Sequence, residues 1–123
     1  MPKTFKPDFS KACFLHRFEI YIPVLDNEGQ IIPPRLFQRL TAQLMEAFGG
    51  VSTMFPYGGS GGIDGIYHSS VSEVVFRDKS AVLMVLSQND PESVGFFKKN
   101  LPKWEKTFKQ EKILVMVSDV MSL

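Results

Sequence analysis

Two stretches of this chain, Ala81–Leu86 (AVLMVL) and Ile113–Val117 (ILVMV), hold no polar side chain at any position. Side chains on a strand alternate between faces, so each stretch, once extended, presents apolar groups to both sides of a sheet. A fold for this chain must therefore cover one face with helices and then cover the other, or leave it in water.

The helices are legible. Phe37, Leu40, Leu44 and Phe48 recur at spacings of 3, 4 and 4 and form one apolar stripe, with Leu36 and Met45 at its margins. Pro34 suits the first turn, and Gly49-Gly50 supplies a stop that tolerates positive φ. A second stripe, Val94, Phe97, Leu101, Trp104 and Phe108, follows a start signal at Asn89-Asp90-Pro91-Glu92. Pro102 falls inside it and predicts a kink, because the stripe keeps its register across the proline.

Strands fill the remainder. Phe18, Ile20, Ile22 and Val24 alternate with Arg17, Glu19, Tyr21 and Pro23, which predicts a half-buried strand ended by a turn at Asp26-Asn27-Glu28-Gly29. Val51–Phe55 and Ile63–His68 read as the limbs of a hairpin arm around a Pro56–Gly62 tip. Glu73–Arg77 and Ala81–Leu86 read as a second hairpin, with a turn at Asp78-Lys79-Ser80. The expected division is an N-terminal arm over residues 1–15 and a single α+β domain over 16–123.

The resulting order, β-α-β-β-α-β, resembles a ferredoxin-like domain over about residues 16–118. That resemblance implies an antiparallel sheet with two helices on one face, here elaborated by an extended β-hairpin arm. It also offers a cover for the second apolar face, since ferredoxin-like domains of the dimeric α+β barrel type pair through their sheets. A homodimer through the sheet face is the expected partner; a different protein covering the same face is the alternative.

Composition narrows the function classes. The net charge of +1, from 14 basic and 13 acidic residues, gives no field to draw the chain to a polyanion or an anionic membrane. The lysines of the second helix, Lys98, Lys99, Lys103, Lys106, Lys109 and Lys112, are interspersed with Glu105 and Glu111 and read as a solvated face. Neither EVVFR nor AVLMVL matches the aromatic pattern of an RNA-binding sheet, so nucleic acid is not expected. No apolar run approaches the roughly 18–20 residues that span a bilayer. The single cysteine, Cys13, cannot form an internal disulfide, and a cytoplasmic location is expected.

Seven of the nine glycines lie between Phe48 and Ser70. They fit neither the phosphate-cradling loop, which needs a following Lys-Ser or Lys-Thr, nor the dinucleotide fingerprint, where Asp64 stands in place of the third glycine. A hairpin tip, or a lid over a ligand, remains.

Past the tip stand Asp64, Tyr67 and His68, with Glu73 further on. Imidazole titrates near neutrality, so His68 is the candidate proton carrier, with Tyr67 and Glu73 as its neighbours. Arg17, Glu19 and Tyr21 share the strand face away from the helices, with Arg77 on a neighbouring strand, and are candidate ligand-binding residues beside Asp64. Cross-strand ion pairing explains the same residues without a ligand. Cys13 and His16 stand three apart, but no oxyanion donors accompany them. No metal site and no cofactor are expected. The expected function is a non-catalytic dimeric interaction or small-ligand-binding module, with a cofactor-independent enzyme of the dimeric α+β barrel type as the alternative.

Overall fold

The computed structural model describes residues 13–55, 63–68, 75–88 and 91–123; for 63–68 and 75–78 it describes the backbone alone. The elements run β1 (Cys13–Pro23), α1 (Pro34–Phe48), β2 (Ser52–Met54), β3 (Ile63–His68), β4 (Val75–Gln88), α2 (Pro91–Thr107) and β5 (Leu114–Ser122). The sheet order is β2-β4-β1-β5, antiparallel at every pairing, with β3 also on β4. Ser80 stands opposite both Pro23 of β1 and Ile63 of β3. A strand residue has one neighbour on each side, so β3 occupies the edge of β4 away from β1, in line with β2. The sheet is thus four strands wide, with two helices, as a ferredoxin-like fold requires.

Two expectations change here. Residues 78–80 are no turn: β4 runs unbroken from Val75 to Gln88. The return strand β3 pairs with β4 and not with β2, so the arm is the β3–β4 hairpin. β1 reaches only as far as Ser80, which leaves the ladder from Ile63↔Ser80 to His68↔Val75 projecting past the end of β1. The glycine-rich tip at 56–62 lies outside the described residues.

α1 begins with Pro34 in its first turn and stops at Gly49, whose φ of 78° is left-handed and whose N–H donates to the Met45 carbonyl at 2.8 Å. α2 is helical through Pro102, which faces solvent and therefore removes a backbone bond without entering the core. β1 starts at Cys13, three residues before the alternation becomes strict, and β5 continues five residues beyond Val117.

The core lies between the helices and one face of the sheet. Phe18, Ile20 and Ile22 of β1 and Ala81, Leu83 and Val85 of β4 meet Phe37, Leu40 and Leu44 of α1 and Phe97 and Trp104 of α2. Aromatic rings fill the seam: Phe18 stacks on Phe97 with centroids 4.3 Å apart, and Phe37 lies 5.1 Å from Phe108. The helices are joined by a polar relay. Trp104 Nε1 donates to Gln43 Oε1 at 3.1 Å, Gln43 Nε2 donates to Asn100 Oδ1 at 3.3 Å, and Asn100 Nδ2 donates to the Phe96 carbonyl at 2.9 Å. At the sheet end where β1 finishes, Asn27 N–H donates to the Lys109 carbonyl and its side-chain oxygen accepts from Glu111 N–H, tying the two end loops together. The opposite end, where α1 stops and α2 starts, is looser.

Candidate functional sites

The face of the sheet away from the helices carries the Arg17, Glu19 and Tyr21 line at its centre. Residues two apart on a strand share a face about 7 Å apart, close enough for long side chains to meet. Arg17 Nε lies 2.9 Å from Glu19 Oε1, yet its N–H makes no aligned hydrogen bond, so the contact is mainly electrostatic. The Tyr21 hydroxyl donates to Glu19 Oε2. That bond, then burial, then the negative charge of Glu19 raise the Tyr21 pKa above 10.0, and Arg17 opposes the shift.

Around this line the register places Val82, Met84 and Leu86 of β4, Leu114 and Met116 of β5 and Met54 of β2 on the same face. Met54, Leu86, Leu114 and Met116 are 45–52% exposed. The second apolar face that the two all-apolar stretches demand is present, and among the described residues nothing covers it.

A second site forms at the looser end of the sheet. A cavity of about 570 Å³ opens between α1, α2 and the end of β4, with Phe48 and Phe96 as aromatic walls and Ser87, Gln88, Glu92 and Ser93 as polar groups. The two rings meet edge to face, with centroids 5.1 Å apart. A smaller cavity of about 330 Å³ shares Phe48 and Leu86 and extends past Gly49 and Gly50 to Met84. Ser87 and Ser93 are buried with their hydroxyls in contact, and Ser87 donates to the Gln88 carbonyl.

Beside Ser87, across the strands, His16 pairs with it on β1 and Asp119 follows on β5. His16 Nε2 lies 3.1 Å from Asp119 Oδ1, while Nδ1 is buried without a hydrogen-bond partner among the described residues. His16, Ser87 and Asp119 are far apart in sequence. The available signal was local: Ser93 and Asn100 sit on the buried face of α2, where polar side chains need partners.

The candidates read from sequence are dispersed. Arg17, Glu19 and Tyr21 come together as expected. Arg77 does not join them: Tyr21 pairs with Val82, five residues up β4, placing Arg77 about 17 Å away on the arm. Asp64, Tyr67 and His68 lie on β3 opposite Lys79, Phe76 and Val75; their side chains, and all of Glu73, lie outside the described residues. Cys13 and His16 fall on opposite faces of β1, because a spacing of three on a strand changes sides, so they form no pair. Among the described residues no cluster of three metal-binding side chains occurs, and no helix is long and apolar enough to cross a membrane.

No known protein family matches the sequence, and no curated protein matches it. Among solved structures the chain is similar to a phage SAM lyase in complex with S-methyl-5'-thioadenosine, with a TM-score of 0.63 and 12% identity over 88% of this chain and 90% of that one. At that identity the likeness concerns the fold, and it spans nearly the whole of both chains.

Proposed function

We propose that this protein is a non-catalytic, cytoplasmic module that pairs with a second copy of itself through the open face of its sheet and holds a small ligand. The observation that carries the reading is the half-exposed set Met54, Leu86, Leu114 and Met116 around Arg17 and Glu19. Full burial of one such side chain is worth roughly 1.5–3 kcal/mol, so covering several favours association. A second copy suits the face because Arg17 and Glu19 bring both signs of charge to its centre. Across a two-fold axis Arg17 of one subunit can meet Glu19 of the partner subunit, and the reverse. A net charge of +1 opposes this little. The projecting β3–β4 ladder adds to the argument, since a two-stranded ribbon alone is marginal in water and gains from a neighbour.

Sedimentation velocity tests the reading. The wild type is expected to sediment as a dimer at micromolar concentration, and Leu114→Lys with Met116→Lys as a folded monomer. A wild-type monomer at that concentration removes the dimer, and a second protein retained on the same face would take its place.

An enzyme is the second reading, favoured by the lyase whose fold this chain shares; the end cavity is no part of it, since His68 pairs with Val75 at the other end of β4. In it His68 is the proton carrier, with Tyr67 and Glu73 as neighbours. Incubation with SAM, followed by chromatography for S-methyl-5'-thioadenosine, tests it. Product that disappears in His68→Ala supports the enzyme; no product from folded protein sinks this chemistry.

A further inference from the structure

We propose that the end cavity is a binding site for a small aromatic amine, a ligand class the module reading leaves open and on which this inference rests. The cavity, about 570 Å³, lies within the size range of small-molecule sites. Its two phenylalanines, Phe48 and Phe96, meet edge to face and offer a wall for a flat ring. Ser87 and Ser93, both buried and in mutual contact, place a hydroxyl pair where a ring hydroxyl can join it. Among the described lining residues Glu92 alone carries charge, and no lysine or arginine lines the space. No basic side chain among the described lining residues pairs an anion there, whereas an ammonium group gains a carboxylate partner in Glu92 and is further favoured by the aromatic faces. His16 and Asp119 stand behind Ser87 on the next two strands and are not needed to touch the ligand.

The test pairs two probes with one phenol body and opposite charge, tyramine and 4-hydroxyphenylacetate, each titrated by amide-resolved NMR against the full chain. Tyramine is expected to give saturable shifts centred on Ser87, Ser93 and Phe96, and to bind at least about tenfold tighter than the acid. Glu92→Gln should weaken tyramine about threefold, a modest loss because the carboxylate is exposed. Ala47, exposed on the last turn of α1 and lining the same cavity, permits a blocking change that leaves the core alone. Ala47→Phe should abolish saturable binding, with an unchanged thermal melt as the control for folding. The double change Ser87→Ala with Ser93→Ala removes both members of the hydroxyl pair and should cost about tenfold in affinity. Equal binding of the two probes overturns the assignment. So does tyramine binding that survives Ala47→Phe, which would place a ligand elsewhere and leave the small-ligand reading standing. If neither probe binds at all, the site falls, while dimerisation is read separately by sedimentation.

Discussion

The phenol of Tyr21 holds its proton more tightly in the folded chain than a free tyrosine does, because Glu19 accepts its hydrogen bond and the site is partly desolvated. A pKa raised above 10.0 sets the sign of the pH dependence. The contribution is complete below pH 10 and is lost as pH rises through the folded value. Tyr21→Phe should therefore cost on the order of 1 kcal/mol near neutrality, and that cost should shrink above pH 10. Urea unfolding of both proteins at pH 8 and at alkaline pH measures it, since other titrating groups cancel in the difference. A gap that grows with pH would mean that Glu19 does not hold this proton. His16 and Asp119 make a contrasting pair at 3.1 Å, with the carboxylate 83% exposed and the imidazole 17%. Little stability is expected from a pair so open to water.

At the scale of elements, the end of α1 depends on one residue in the left-handed region. Gly49 has a φ of 78°, and a Cβ added there would meet nothing within 4 Å, so a substitution meets backbone strain and no clash. Gly49→Ala should cost roughly 1–2 kcal/mol. Gly50→Ala, equally open but without positive φ, should be neutral or stabilise by up to about 1 kcal/mol. Equal losses for the two in chemical denaturation would refute the cap argument. This boundary was legible in the sequence because proline and glycine act locally, as were both helical stripes and the alternation of β1. The turn at Asp78-Lys79-Ser80 was misread for the complementary reason. Those residue types favour turns in isolation, but Ser80 is paired on both edges, by Pro23 and by Ile63, and two ladders outweigh a local preference. The Ser87, Ser93, His16 and Asp119 cluster was illegible because cross-strand register, which no local pattern reports, assembles most of it. The Arg17, Glu19 and Tyr21 line was legible because one strand carries all three.

For the whole molecule, the helical layer and the open sheet face differ in kind. Lys98, Lys99, Lys103 and Lys106 keep the outer side of α2 in solvent, and charge of that density is poorly suited to the centre of an interface. The apolar sheet face is the better-suited surface. If two copies pair through it, the melting temperature should rise with protein concentration, because association stabilises by mass action. A melting temperature constant over about a hundredfold range of concentration would argue against a dimer coupled to folding. The strand order also has a consequence in time. β1 is made first, yet it sits between β4 and β5, and its ladder to β5 joins residues about a hundred positions apart, as in Phe18↔Val117. During synthesis the central strand must wait with one edge open until Leu114–Ser122 has left the ribosome. Until then Phe18, Ile20 and Ile22 lack their full cover, and the nascent chain is a natural client for chaperones that shield apolar strands.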